Sequence, residues 1–404
     1  MLKALYKFFS SLRLTVVCLV LGCVIVFWGT IAQVHLGLYK AQNEFFRSFV
    51  VYWTPAGSGL HLPIFPGGYL IGTVLLLNLF TAHFRYYQPG KRKIGILLIH
   101  LGVVLLLTGQ MLTDFLSRES AMHLRIGETK NYSEAERAFE LVVLDTTDKD
   151  SDKVVAIPCS RLVRQGEVGD PELPFRVRVK TFYANSVLDE KSQPGYEPVK
   201  TTAGLGSGVW WREVPRETEM NRLDMPSTIV EIVSPEGSLG TFLASAWMDR
   251  PQSFASNGRA YQLWLRQERY YLPFSLHLIE FRHDRYPGTD IPKNFSSRVR
   301  LQNLGNQEDR EVRIFMNNPL RYAGETFYQA SFDPDDHGSV LQVVHNPSWL
   351  TPYFSCVMVA TGLLIQFLSH LIPFLKRRLA APGSAIGSPA GAAVRGKSAL
   401  KAKQ

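Results

Sequence analysis

The stretch Ile94-Gly-Ile-Leu-Leu-Ile-His-Leu-Gly-Val-Val-Leu-Leu-Leu-Thr-Gly-Gln-Met-Leu112 decides the fold. It runs for 19 residues without a charged side chain, and a bilayer core of about 30 Å takes about 20 apolar residues as helix. It reads as a transmembrane helix. Three further runs read the same way: 14–32; 67–84, shorter and opened by Pro66; and 353–375. None of them holds Asp, Glu, Lys or Arg. Trp28, Tyr69 and Tyr353 sit near run ends, where interfacial aromatics collect. The first run is too long for a cleaved signal peptide and no small-x-small site follows it, so a retained anchor is expected.

Charge orients the runs. Residues 1–13, the link 85–93 and the tail 376–404 together hold 14 basic and no acidic residues, leaving 30 basic against 35 acidic elsewhere. The net charge of +9 is therefore a topology signal and gives no support for nucleic-acid binding. Both termini and the short link are expected in the cytoplasm, and residues 116–350 on the periplasmic side of an inner (cytoplasmic) membrane. The expected organisation is a membrane region over 1–115, with helices at 14–32, 67–84 and 94–112. A β-rich extracytoplasmic domain follows over 116–350, then a fourth helix over 351–375 and a basic, disordered cytoplasmic tail over 376–404.

The outer region alternates apolar and polar residues, as a half-buried strand does, in 175–182, 227–233 and 274–281. Residues 326–332 and 340–344 are further strand candidates. Turns are expected at Pro287-Gly288, Asn317-Asn318-Pro319 and Asp333-Pro334-Asp335-Asp336. Residues 193–224, rich in Gly, Pro and charge, read as a long loop. Four cysteines in 404 residues exclude a disulfide-dense scaffold, and only Cys159 lies outside the apolar runs. There is no Gly-rich phosphate loop, no Cys-x-x-Cys, no His-Glu-x-x-His and no Gly-x-Ser-x-Gly.

Polar groups inside hydrocarbon are costly and tend to be functional. His100 lies six residues beyond Ile94, about 9 Å along a helix. An imidazole there suits a haem ligand, a proton relay or an interhelical hydrogen bond. His83 and His370 fall near run ends, where imidazole is tolerated. Gly95, Gly102 and Gly109 recur every seven residues and make a seam for close helix approach. His100 points roughly 140–180° away from that seam. The outer histidines His123, His277, His283, His337 and His345 read as surface or strand residues, and Trp210-Trp211 as a loop anchor or a flat-ligand contact.

Three stretches resemble the ResB family of cytochrome c biogenesis proteins, the system II haem attachment pathway. They are Ser11-Leu-Arg-Leu-Thr through to Gly29-Thr30 and Gln33, then Ile99-His100-Leu-Gly-Val-Val-Leu-Leu-Leu-Thr-Gly109, and then a long C-terminal set. That set runs from Tyr286-Pro-Gly-Thr-Asp-Ile-Pro through Met316-Asn-Asn-Pro-Leu and Gly324-Glu-Thr-Phe-Tyr-Gln-Ala-Ser to His345-Asn-Pro-Ser-Trp-Leu-Thr-Pro-Tyr.

The resemblance implies four transmembrane helices with a large outer domain between the third and fourth. It also implies work with a ResC/CcsA-type membrane partner. Together they would move haem b across the membrane and support its attachment to Cys-x-x-Cys-His apocytochromes c, as a subunit of a haem lyase complex rather than an enzyme alone. His100 would supply one axial ligand to the iron and the partner the other. Arg85, Lys91, Arg92 and Lys93, at the same end of the membrane, would meet the propionates. The Trp-Trp-Asp motif belongs to the partner, and Trp210-Trp211-Arg212-Glu213 is not that motif; no fused partner is expected. The chain has no outer thiol pair, so a thiol reductant protein is expected from elsewhere. Two other readings stay open: a haem-free membrane-anchored receptor or scaffold whose outer domain binds a peptide, and a haem b subunit of a respiratory complex.

Overall fold

The computed structural model describes residues 2–55, 60–86, 93–148, 151–164, 166–220, 222–289 and 292–380. Its main helices are α1 (Leu2–Phe9), α2 (Leu12–Leu36), α3 (Gly68–Tyr86), α4 (Ile94–Leu116) and α5 (Thr351–Ala380). Among the described residues three, α2, α4 and α5, are long and apolar enough to cross a membrane. With the large β-rich insert before α5, this is the layout of a membrane protein. The 67–84 run does form a helix, of 19 residues, but Asn78, His83 and Arg85 interrupt its apolar character. Residues 381–404 of the tail lie outside the described residues.

Between α2 and α3 the chain makes a short π-helical turn, Gln42–Phe46, and a hairpin pairing Val50–Trp53 with Leu62–Pro66. Trp28, Phe45 and Phe65 meet edge-on at this end of α2. At the other end Ser11 caps α2.

The insert is built on one ten-stranded sheet and a four-stranded sheet facing part of it. Strand Arg118–Arg125 starts two residues after α4 ends, and strand Gly338–His345 ends six residues before α5 begins. The two pair antiparallel from Arg118↔His345 to Gly338↔Arg125. The α4–α5 pair thus continues directly into a paired ribbon, which roots the domain on those two helices.

Two cores follow from the alternation. In one, Val177, Val179, Val230, Ile232 and Phe242 of the smaller sheet pack on Leu141, Val143, Tyr261, Leu263 and Leu265 of the larger. In the other, Val299 and Ile314 from one end of the large sheet share a core with Met122, Phe327, Leu341 and Val343 from the other, so the sheet curls on itself. Each contributing residue faces inward at every second position, the pleat period. The expected strands over 227–233, 274–281, 326–332 and 340–344 lie within longer observed ones, and 175–182 is offset by one residue from the observed Arg176–Tyr183.

One expectation needs correcting: 193–224 is not all loop. Trp210–Glu213 pairs with Ser186–Asp189 and with Glu197–Pro198, and Trp211 is buried against Tyr183, with ring centres 4.4 Å apart. Burial of one large aromatic fixes a four-residue strand that the surrounding Gly and Pro conceal.

Candidate functional site: a cavity between helices α3 and α4

Helix α4 presents its glycines to α5. A Cβ placed on Gly95 would lie 2.8 Å from the Gly362 carbonyl oxygen, and one on Gly102 would lie 2.7 Å from Val359 Cγ2 and 3.0 Å from the Ser355 carbonyl oxygen. Only glycine permits this approach. The seam's partner is therefore α5 of the same chain.

The opposite face of α4 looks at α3 across a cavity of 390 Å³. Lys93, Ile96, Leu97 and His100 line it from α4, and Leu79, Ala82, His83 and Tyr86 from α3. Both sets follow the i, i+3, i+4, i+7 pattern of one helical face. Ser10, Leu12, Thr15 and Asn78 close the remaining side. The walls are mainly apolar, as ligand pockets of about 300–1,000 Å³ usually are. His83 and His100 face each other here. Their ring centres are 5.8 Å apart and their planes stand at 89°.

Of the residues singled out from the sequence, the fold brings His100 and Lys93 to this cavity. It also brings His83, for which the family motifs gave no support. Arg85 is used differently: its guanidinium donates to Ser10 Oγ at 2.6 Å and to the Lys7 carbonyl at 3.4 Å. It ties the end of α1 to α3 and stands outside the cavity lining. Lys91 and Arg92 lie outside the described residues. His370 sits on exposed helix surface, with Nδ1 2.9 Å from the Gln366 carbonyl oxygen.

Asn78 was missed. It is buried, accepts from Thr15 Oγ1 at 2.6 Å and donates to the Phe9 and Ser11 carbonyls at 2.6 and 3.0 Å. It thereby adds a partner to the backbone carbonyls where α1 ends and α2 begins; the Ser11 carbonyl also accepts from Leu14 N–H at 3.1 Å. A single Asn inside Val-Leu-Leu-Leu-Asn-Leu-Phe was the available signal.

A second cavity, of 440 Å³, opens between α3 and α4 at their other end, next to the β domain. Gly68, Tyr69, Gly72, Thr73 and Leu76 line it from α3, and Leu107, Gln110, Met111 and Asp114 from α4. The Tyr69 hydroxyl donates to the Asp114 carboxylate, and Arg47 Nε lies 3.2 Å from the same group. The apolar run ends at Leu112, but the helix continues to Leu116 and carries this carboxylate with it.

The outer histidines are engaged with neighbours: His123 with Asp333 at 2.8 Å, His283 with Asp336 at 2.8 Å, His277 with Thr129 at 2.8 Å, and His345 with Glu325 at 3.2 Å. Among the described residues no three His, Cys, Asp or Glu side chains converge on a metal position. Burial, with Glu140 and Glu268 nearby, pushes the Cys159 thiol up to about 12. A thiol that remains protonated at neutral pH is a poor nucleophile.

The model of the ResB-like family matches residues 237–340. That stretch spans most of the large sheet's C-terminal strands. Protein NrfI of Wolinella succinogenes is similar over a wider range, 25% identical over 302 residues, which is 74% of this chain and 30% of NrfI. The chain thus spans about 30% of the length of the curated relative it matches. The resemblance to the ResB family is shown, by a family model inside the outer domain and by a relative that extends it to most of the chain.

Proposed function

We propose that the chain serves cytochrome c biogenesis as the ResB-type subunit of a haem-attachment complex. Together with a ResC/CcsA-type membrane partner it would deliver haem b across the inner membrane and support its covalent attachment to Cys-x-x-Cys-His apocytochromes c. One observation carries the reading. His100 turns away from the glycine seam that packs α4 and looks into an apolar cavity instead, so packing does not account for an imidazole at that depth.

The residues present fit haem. Neutral imidazole is a suitable iron ligand. Leu79, Ala82, Ile96 and Leu97 offer apolar walls to a flat macrocycle and exclude water. Lys93 stands at the mouth, where it would meet a propionate. Arg85 has a structural task at the α1 corner, which leaves Lys93 as the foremost cation for that role among the described residues. Haem, when bound, supplies the vinyl groups to which apocytochrome thiols add. The chain's own contribution is to hold the iron through His100, shield the ring and fix its orientation. Cys159 is unsuited to thiol exchange, which agrees with a separate thiol reductant protein. In this reading the termini are cytoplasmic, α3 is the fourth membrane-spanning helix, and the β domain is periplasmic, holding the partner or the apocytochrome near the exit.

The test is co-purification with the partner, followed by an absorption spectrum and a stain for covalent haem. His100→Gly should lower haem content and cytochrome c maturation together, and free imidazole should restore part of both. Full haem content and full maturation in that variant would make His100 a packing residue. Deletion of the chain should remove covalent c-type cytochromes and spare b-type ones; loss of a b-type respiratory activity alone would favour the respiratory reading. Absence of any haem absorption band would favour the receptor.

A further inference from the structure

We propose that His83 is a second axial ligand supplied by this chain itself, so that the chain alone holds haem between His83 and His100. The inference rests on the haem reading of His100 and adds to it a residue that no motif identifies.

The geometry carries it. A metal–imidazole bond is about 2 Å, and the ring centre lies about 1 Å beyond the bonding nitrogen, so two axial imidazoles stand with centres about 6 Å apart. His83 and His100 stand at 5.8 Å. They come from two different helices and line one cavity, His83 between Ala82 and Tyr86 on α3 and His100 one turn beyond Ile96 and Leu97 on α4. The second torsion of histidine is broad and soft, so each ring turns a nitrogen toward the shared centre at small cost. Both rings are half-buried among apolar side chains. The α3–α4 crevice is loosely filled along its length, with one cavity at each end. A flat ligand can therefore enter edgewise without breaking the α4–α5 seam.

The pair gives His83 a role in transfer. His83 would hold the iron until a partner imidazole took its place, one neutral ligand for another, while His100 would keep its hold throughout.

The test uses the full chain purified without its partner, in nanodiscs, titrated with ferric haem. The wild-type chain should bind haem as a six-coordinate low-spin complex. Two imidazole ligands should give it a low-spin EPR signal. His83→Gly should abolish that signal and weaken haem binding by about tenfold or more, the range lost when even a supporting contact of a metal ligand is removed; imidazole should restore the low-spin state. His83→Met keeps a ligand and should remain low-spin with a raised potential.

A His83→Gly spectrum and affinity equal to wild type would overturn the pair. If His100→Gly still loses haem in that case, the His100 reading survives alone; if neither variant changes anything, both fall. A high-spin wild-type complex, or no haem binding by the chain alone, would also overturn the pair, and haem content of the His100→Gly chain with its partner then decides the His100 reading.

Discussion

Helix α4 meets α5 with its glycines and α3 with its histidine, and the two contacts are built differently. Against α5 the backbones nearly touch: Gly95, Gly102 and Gly109 are all buried, and Gly362 of α5 returns the approach at Gly95. Against α3 there are two cavities, with the Tyr69–Asp114 hydrogen bond across the one next to the β domain. In membranes, helices associate through van der Waals contact and hydrogen bonds, with little hydrophobic drive. The α4–α5 seam uses the first; the α3–α4 crevice has the Tyr69–Asp114 hydrogen bond at one end and the His83–His100 ring contact at the other. The seam also continues into the paired strands Arg118–Arg125 and Gly338–His345. The lesson is a division of labour on one helix. The glycine face ties the β-rich domain to the helices, and the histidine face is left open enough to take a ligand.

The harshest way to break this comparison is to fill the seam. Gly102→Leu puts a side chain where even a Cβ would be 2.7 Å from Val359 and 3.0 Å from Ser355 backbone oxygen. Overpacking costs about 1–3 kcal/mol where neighbours can yield, and a helix backbone yields less than a side chain. Folded monodisperse protein should fall to a small fraction of wild type by gel filtration. Gly22→Leu on α2, where a Cβ meets nothing within 4 Å, should be close to wild type. Equal yields for the two would remove the seam from the account.

The next largest effect belongs to the open face and should be of the other kind. His100→Gly should leave the yield near wild type while lowering bound haem. Should yield fall as far as in Gly102→Leu, the two faces are not separable and His100 is a packing residue after all.

Much of this division can be read in the chain itself. The seven-residue recurrence of Gly95, Gly102 and Gly109 identifies a packing face, and the helical period puts His100 on the other side of it. What the recurrence cannot say is which helix fills the seam, because every apolar run is an equally good partner by composition. The identification of α5 comes from long-range packing. His83 was undervalued for a similar reason. At a run end its type is unremarkable, and only the facing of α3 and α4 puts its ring 5.8 Å from that of His100. Asp114 was overlooked because hydropathy ends the helix at Leu112, whereas backbone hydrogen bonding carries it to Leu116. In the outer domain alternation identified strand interiors, while Trp210–Glu213 depends on the buried Trp211 and on partners distant in sequence.

A smaller effect is expected at Asn78, which spans from α3 to the α1–α2 corner beside the histidine cavity. Asn78→Leu takes a side-chain partner from the Phe9 carbonyl and the Thr15 hydroxyl, while the Ser11 carbonyl keeps the Leu14 N–H. A buried polar group left without its partner costs about 1–3 kcal/mol, and membrane hydrogen bonds fall at the low end, near 0.6 kcal/mol on average. A loss of about 1 kcal/mol in thermal stability is expected, together with faster proteolysis at the α1–α2 corner. An unchanged corner would mean that α3 is held by apolar contact alone.

The mildest test concerns the tie at the far end of the same crevice. The Tyr69 hydroxyl on α3 donates to Asp114 on α4, which also pairs with Arg47 at 3.2 Å. Tyr69→Phe removes one of the two partners but leaves the carboxylate its cation, so the cost should be near a single net hydrogen bond, about 0.5–1.5 kcal/mol. If α3 is tethered by separate polar ties, the loss stays local. Amide exchange should quicken in the first turns of α3, around Gly68 to Thr73, and remain unchanged in α5 at Ser355 to Gly362, which rests on the glycine seam. The ring stays packed against Phe49 and Phe115 through apolar contact that Phe retains, so helix α3 itself should persist. Quickened exchange in α5 to the same degree would show that crevice and seam open as one unit, and the contrast between the two faces of α4 would then hold for their chemistry but not for their mechanics.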